Sequence, residues 1–175
     1  MKKSQARAAG LIARSAVSHS TRRSYDAALL TKMKALSRNE PCIGCYVSMK
    51  DEADTLAYLS WCISSGRNVA VPKVEGSTLG FYRISSLEEL QSGAFGVLEP
   101  EGNADSHIPL EAISLMFVPL SSFDETNQRT GYGKGYYDSV LLPSMKKIGI
   151  AYPEQQVPGI EADPWDIPLD QILLP

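Results

Sequence analysis

The ten residues from Arg129 to Asp138 combine three glycines at alternate positions with two cations and a terminal carboxylate. Glycine has no Cβ, so the main chain can adopt positive φ and a ligand can approach its N–H groups closely. Successive exposed N–H groups form an anion-binding concavity, to which Arg129 and Lys134 add full positive charges. A charge-assisted hydrogen bond contributes roughly 1.5–3 kcal/mol, so a few such donors suffice to hold a polyphosphate. The spacing differs from the Walker A and dinucleotide patterns. A plain glycine-rich hairpin has no use for these charges, so we predict a phosphate-binding loop.

The carboxylate of Asp138 requires a separate explanation, because it would repel a bound phosphate. Mg²⁺ resolves this conflict, since it is commonly held by one or two carboxylates together with substrate phosphates. The alternative is that Asp138 caps a helix or complements its dipole. From the residues alone the two interpretations have equal weight.

Three further charged residues have positions that suit ligand binding. Lys3 and Arg7 are four residues apart and therefore share one face of a helix, which favours an anion between them. A solvated basic face is nearly as good an explanation. Glu52 follows a buried strand at its carboxyl end, where it can accept hydrogen bonds from a ligand. Helix-dipole complementarity is the simpler interpretation of Glu52.

The elements that must position these residues alternate between strand and helix patterns. Ligands of parallel sheets collect beyond the carboxyl ends of the strands, and the glycine loop follows one buried strand at that end. The alternation predicts a single α/β domain, residues 1–175, with a mostly parallel sheet. The predicted strands are 43–47, 68–74, 79–84, 113–119, 147–152 and 171–174, and the predicted helices are 3–18, 24–37, 48–65, 86–90 and 136–142.

Composition excludes several classes of protein. The chain has 175 residues and a net charge of −3, which argues against a nucleic-acid surface. No apolar run approaches the length that spans a bilayer. Cys42, Cys45 and Cys62 form an odd and sparse set, which predicts a reducing compartment such as the cytoplasm and favours packing over a metal or redox role. His19 and His107 lack a partnered nucleophile, so a catalytic triad has no support.

These motifs resemble the signature of the 5-formyltetrahydrofolate cyclo-ligase family, also called methenyltetrahydrofolate synthetases. The glycine-loop motif is highly specific, whereas the Lys-x-x-x-Arg pair alone would carry no weight. The resemblance covers nearly the whole chain and is carried by Lys3 and Arg7, Ser48 to Glu52, Val69 to Val74, Gly93 to Pro100, Val118-Pro119, Phe123-Asp124, Arg129 to Asp138, Ile148 to Tyr152 and Gln155.

The resemblance implies a fold and a reaction. The fold is a three-layer α/β architecture with helices on both faces of the sheet, similar to sugar-phosphate isomerases and CoA transferases. The reaction converts ATP and 5-formyltetrahydrofolate into 5,10-methenyltetrahydrofolate, ADP and phosphate, with Mg²⁺ required. We expect a monomer that needs neither nucleic acid nor a membrane. The rival functions are a nucleotide-binding regulator without activity and a sugar-phosphate isomerase.

The resemblance also implies the role of each site residue, carried over by position. Arg129 and Lys134 would act in catalysis by neutralising charge, and Asp138 and Asp166 would contact Mg²⁺. The folate would contact Val47, Glu52, Tyr132, Gly133, Lys134, Gly135 and Tyr136. ATP would contact Lys3, Arg7, Arg129, Thr130, Gly131, Tyr132, Gly133, Lys134, Gly135, Tyr136 and Tyr137.

The sequence departs from the family pattern at three positions. Asn127 stands where glycine is common, although asparagine tolerates left-handed backbone better than most residues. Thr130 replaces a usual leucine, which indicates a change in packing. Trp165 replaces a histidine beside Asp166, which makes Asp166 the least secure of the site residues.

Overall fold

A computed structural model describes all residues from 1 to 175 and contains three α-helices: α1 (Lys3–Ser15), α2 (His19–Leu36) and α3 (Leu56–Ser64). The two predicted N-terminal helices are confirmed with shifted ends. Ser18 is the reason, because its hydroxyl accepts a hydrogen bond from the Thr21 N–H at 3.2 Å and caps α2. None of the helices combines the length and the apolar composition that crossing a bilayer requires.

Seven strands form one sheet in which the central strands are parallel. The chain has eleven strands, which in order are β1 (Ile43–Cys45), β2 (Val69–Glu75), β3 (Thr78–Arg83), β4 (Gln91–Ser92), β5 (Leu98–Glu99), β6 (His107–Ile108), β7 (Leu115–Val118), β8 (Ser122–Phe123), β9 (Arg129–Thr130), β10 (Lys146–Ile150) and β11 (Gln171–Leu173). The four strands outside the large sheet form two antiparallel ribbons, β4–β5 and β8–β9. The order across the sheet is β11-β10-β7-β1-β2-β3-β6. β11 to β2 are parallel, and β3 and β6 are antiparallel. The predicted α/β fold with a mostly parallel sheet is confirmed.

The two faces of this sheet are covered by different kinds of structure. On one face, α2 and α3 pack Leu29, Met33, Tyr58 and Leu59 against the buried strand residues. On the other face, Val140, Leu141 and Met145 fill the same role from a segment of turns. All three cysteines are buried and unpaired, as the packing interpretation predicted.

The helix predicted at residues 48–65 begins only at Leu56, so its predicted start at residue 48 is wrong. Asp54 receives hydrogen bonds from the Leu56 and Ala57 N–H groups, at 3.1 and 3.3 Å, and so caps the shorter helix. Ser48 instead accepts a bond from the Thr55 N–H at 3.0 Å. The residues between them form a loop, in which Lys50 adopts a φ of +47°. Glu52 therefore lies in this loop and complements no helix dipole.

The helix predicted at residues 136–142 is absent. Its only trace is a pair of 3.1 Å hydrogen bonds from the Val140 and Leu141 N–H groups to the Tyr137 carbonyl. The burial of Val140 and Leu141 against the sheet accounts for the apolar pattern that predicted a helix. The glycine loop therefore has no helix N-terminus behind it, and any anion binding there depends on turns and side chains.

Candidate active site

A cavity of about 600 Å³ opens at the carboxyl ends of the parallel strands. Tyr46 and Val47 line it directly after β1, and Pro119 lines it directly after β7. These strands are neighbours whose onward connections run to opposite sides of the sheet. Such a switch point is where ligands of open α/β sheets bind.

The same cavity collects every residue that the sequence predicted for the site. They come from α1, the loop after β1, the glycine loop and the segment before β11. The residues are Lys3, Arg7, Val47, Glu52, Arg129, Thr130, Gly131, Tyr132, Gly133, Lys134, Gly135, Tyr136, Tyr137, Asp138 and Asp166.

Twelve lining residues were not predicted. Half of them are apolar residues from β2, β3 and the loop between β4 and β5, where ordinary core patterning gives no separate signal of a ligand. They are Tyr46, Met49, Pro72, Val74, Leu79, Ala94, Phe95, Val97, Glu99, Pro119, Asp163 and Trp165.

The start of the glycine loop is fixed to the β8–β9 ribbon and to α1. The Thr130 hydroxyl is buried and lies 2.8 Å from the Ser121 hydroxyl and 2.6 Å from that of Ser122. These contacts explain why threonine can stand at position 130 where the family usually has leucine, because hydrogen bonds to two serine hydroxyls replace apolar packing. Asn127 adopts a φ of +63°, as its tolerance for left-handed backbone predicted. Arg7 donates from Nε to the Gly131 carbonyl at 2.5 Å.

The tip of the loop needs glycine at two of its three glycine positions. Gly133 and Gly135 adopt φ values of +90° and +69°, a region that other residues rarely enter. The Arg7 guanidinium lies 3.4 Å from the point that a Cβ at Gly133 would occupy. The left-handed backbone at these two glycines therefore forms the exposed tip of the loop, with the Arg7 guanidinium beside it.

Two of the cations at this end of the cavity, Lys3 and Arg129, are held by carboxylates. Arg129 donates to the Asp138 carboxylate at 3.0 Å and to the Ile167 carbonyl at 2.7 Å. Lys3 pairs with Asp163 at 2.6 Å and also with Asp166. These carboxylates raise the pKa of the Lys3 ammonium against the opposing effect of its partial desolvation, which is the largest single influence.

A buried carboxylate marks the middle of the cavity. Glu52 accepts from the Tyr132 hydroxyl at 2.8 Å and from the Met49 N–H at 3.0 Å. Burial raises the pKa of Glu52, and these two donors only partly offset the desolvation. Desolvation beside this carboxylate also raises the pKa of Tyr132 to about 12.

Arg14 is a positioning residue that sequence reasoning missed. Its guanidinium is buried and donates to the Tyr132 hydroxyl and to Asp51, both at 3.0 Å. It therefore connects α1 to the glycine loop and to the loop that carries Glu52. In the sequence it appears as one more basic residue of an N-terminal helix, with no pattern that separates it from its neighbours.

The far end of the cavity is apolar and carries an exposed aromatic ring. Phe95 has 65% of its surface exposed and adopts a φ of +58°. The Lys134 ammonium lies 5.5 Å from the centre of this ring, within range of a cation–π contact. Glu99 holds the loop in place, because its carboxylate accepts from the Val74 and Ala94 N–H groups at 3.3 Å.

The carboxylates present fit an ion that arrives with most of its own ligands. No group of three potential metal-binding side chains exists in the chain. Asp138 uses only Oδ1 in its bonds to Arg129 and the Ile167 N–H, and Asp166 uses only Oδ2 in its contacts. Each retains one free oxygen, which matches the habit of Mg²⁺ to combine one or two carboxylates with substrate phosphates and water.

Fold and site together define an α/β enzyme whose cavity has a cation-rich end and an apolar end. The profile of the 5-formyltetrahydrofolate cyclo-ligase family matches residues 1–175. The chain therefore belongs to this family. It is an enzyme, a ligase that acts on 5-formyltetrahydrofolate, as the resemblance implied.

Relatives and solved structures agree with this family. A 5-formyltetrahydrofolate cyclo-ligase of Haemophilus influenzae is 32% identical over 139 residues, which are 75% of this chain and 74% of that protein. The structure of the Aquifex aeolicus 5,10-methenyltetrahydrofolate synthetase has a TM-score of 0.84 and 31% identity, covering 97% of this chain and 88% of that one. The Mycoplasma pneumoniae 5,10-methenyltetrahydrofolate synthetase has a TM-score of 0.79 and 26% identity over 99% of both chains.

Proposed function

We propose that this cavity binds ATP at its cation-rich end and 5-formyltetrahydrofolate at its apolar end, and joins the formyl carbon to N10. The observation that carries the proposal is the meeting of two unlike environments in one cavity. One offers main-chain N–H groups and cations, and the other offers an apolar wall with a buried carboxylate. The glycine loop lies between them.

The triphosphate would bind among Lys3, Arg7, Arg129 and Lys134. Their charges supply what phosphoryl transfer requires, which is in-line positioning and neutralisation of charge rather than a protein nucleophile. Lys134 is exposed at the tip of the loop and can follow the terminal phosphate. Arg129 is already oriented by Asp138 and the Ile167 carbonyl.

The pterin would bind against Val47, Val74, Leu79 and Phe95, with Glu52 as the polar contact. A pterin ring is flat and apolar on its faces and carries N–H donors on its edge. A carboxylate fixed by two protein donors is a suitable acceptor for those groups. Lys134, which lies over Phe95, belongs to both ends of the cavity.

The reaction needs activation because a formamide oxygen is a poor leaving group. Attack of the formyl oxygen on the γ-phosphorus of ATP releases ADP and converts that oxygen into part of a phosphate ester. N10 then attacks the formyl carbon, the new C–N bond closes the ring, and the phosphate departs with the oxygen while N10 loses its proton. The cations of the loop stabilise the charge that develops on the transferring group. We infer no covalent intermediate with the enzyme.

Mg²⁺ would be held by Asp138 and Asp166 through their free oxygens. When bound, the ion would neutralise phosphate charge and act as a Lewis acid. The protein residues do the rest: Arg129 orients the phosphate chain, and Glu52 orients the folate. Asp138 holds Arg129 in place, and the Tyr132 hydroxyl and the Met49 N–H hold Glu52.

The test is the formation of methenylfolate, followed by its near-ultraviolet absorbance. The wild-type chain should produce it only when ATP and Mg²⁺ are both present. The Lys134→Ala variant should lose roughly 100- to 1,000-fold in kcat, the range found when one stabilising donor is removed from a transition state, and should still bind folate. ATP binding without product would favour a regulatory protein. Turnover of a phosphosugar without ATP would favour an isomerase.

A further inference from the structure

Trp165 is an exposed indole on the wall of the cavity that the proposed reaction does not use. It has 70% of its surface exposed and lines the cavity with the charged groups. The flat faces of the indole are therefore available to a ligand that enters this part of the cavity. The position of Trp165 in the sequence is also one of the departures noted above, where a histidine is usual.

The neighbours of Trp165 place it at the phosphate end of the cavity. Asp163 and Asp166, two residues before it and one after, both pair with Lys3. The Ile167 carbonyl accepts from Arg129, and the Ile167 N–H donates to Asp138 at 3.2 Å. The indole is thus carried by a segment, residues 163–167, that is fastened on both sides to the groups proposed to hold the triphosphate.

The contacts of this segment separate Trp165 from the apolar wall. Residues 163–167 are paired or hydrogen-bonded with Lys3, Arg129 and Asp138, whereas Val74 and Leu79 lie on β2 and β3. Because the phosphates are assigned to the cations and the pterin to the β2–β3 wall, the indole borders the nucleotide and not the pterin.

We propose that Trp165 stacks on the purine base of ATP and thereby sets the affinity of the site for the nucleoside part of this substrate. The proposal rests on the proposed function, because it assigns the base of the same ATP. The flat indole supplies stacking area, and the ion pairs of Asp163 and Asp166 with Lys3 hold it in place. Phosphate binding is left to the cations and the glycine loop.

The experiment compares two probes, ATP and inorganic tripolyphosphate, by calorimetry on the full chain. The Trp165→Ala variant should bind ATP about tenfold more weakly, in the range that loss of one aromatic–base stack causes. Its affinity for tripolyphosphate should stay within twofold of the wild type. Trp165→Phe should restore most of the ATP affinity. Phe95→Ala, the matched change at the other exposed ring, should weaken folate binding and leave ATP binding unchanged.

A spectroscopic readout checks the same contact directly. The chain has two tryptophans, and Trp61 lies away from the cavity, packed between Tyr58 and Arg67. In a Trp61→Phe background, saturating ATP should quench the emission of Trp165. If Trp165→Ala lowers the affinities for ATP and tripolyphosphate equally, or leaves the ATP affinity unchanged, the stacking role is wrong. The proposed ATP-dependent reaction would still stand in that case. Failure of the wild type to bind ATP at all would remove the proposed function as well.

Discussion

Glu52 is the side chain proposed to recognise the polar edge of the folate. Its carboxylate is only 8% exposed and has two fixed donors, so a ligand N–H would complete its hydrogen bonding. Replacing it with glutamine removes the charge and turns one acceptor into a donor. We expect Glu52→Gln to lower folate affinity about 10- to 100-fold, the range for one charged hydrogen bond, with ATP affinity unchanged. Equilibrium binding of each substrate separately measures this, and unchanged folate affinity would remove Glu52 from the site.

The same residue predicts a dependence of stability on pH. Burial raises the pKa of Glu52 above its ordinary 4.5, so the folded state holds this proton more tightly than the unfolded state. Its contribution to stability is therefore complete below pH 4.5 and is lost as the pH rises through the raised pKa. Glu52→Gln should flatten this decline. Urea unfolding at several pH values measures the slope, and Glu101→Gln, at an exposed position, should leave it as in the wild type.

At the scale of single residues, the sequence predicted which charged residues line the cavity better than it predicted which residues they pair with. Glycine spacing and the positions of Lys3, Arg7 and Glu52 were sufficient to gather the residues that line the cavity. The pairing of Lys3 with Asp163 joins residues 160 positions apart, which no local pattern encodes. Whether these residues bind the ligands assigned to them stays a prediction.

Among the elements, the glycine loop gives the sharpest structural prediction. Gly133 has a φ of +90°, whereas Gly131 has negative φ and open space where a Cβ would stand. Gly133→Ala should cost about 1–2 kcal/mol, the penalty of a Cβ in left-handed backbone, and lower Tm by roughly 2–8 °C for a chain of this size. Gly131→Ala is the matched control and should leave Tm unchanged. Equal Tm values for the two variants would show that the loop relaxes freely.

Element boundaries failed where burial and helix periodicity give the same pattern. Val140 and Leu141 are apolar because they cover the sheet, and turns present them as well as a helix would. The predicted start of α3 at Ser48 failed for another reason. Ser48 and Asp54 are both capping residue types, and the tertiary bond between the Asp54 N–H and Asp26 at 3.1 Å, which sequence patterns do not reveal, fixes the loop before Leu56.

The fold of the whole molecule brings distant segments to one cavity and pairs two of the cations there with carboxylates. Lys3 and Arg129, two of the four cations proposed for ATP, are paired with Asp166 and Asp138, the carboxylates proposed for Mg²⁺. Phosphates entering alone must displace or face those carboxylates. Phosphates that enter with a divalent cation bring a partner for the carboxylates. Lys3 and Arg129 are then free to pair with the phosphates. We therefore expect the binding of ATP and of Mg²⁺ to be coupled.

This coupling predicts how ligands change thermal stability. A ligand at 100 times its Kd stabilises the folded state by about 2.7 kcal/mol, which corresponds to a rise in Tm of roughly 5–11 °C for a chain of this size. ATP with Mg²⁺ should produce such a rise, and the same ATP concentration with a chelator should produce less than half of it. Asp138→Asn removes one repelling carboxylate and should narrow the difference between the two conditions. Differential scanning calorimetry measures the four shifts in Tm, for the wild type and for Asp138→Asn with ATP in the presence and in the absence of Mg²⁺. Equal shifts with and without Mg²⁺ in the wild type would contradict the coupling.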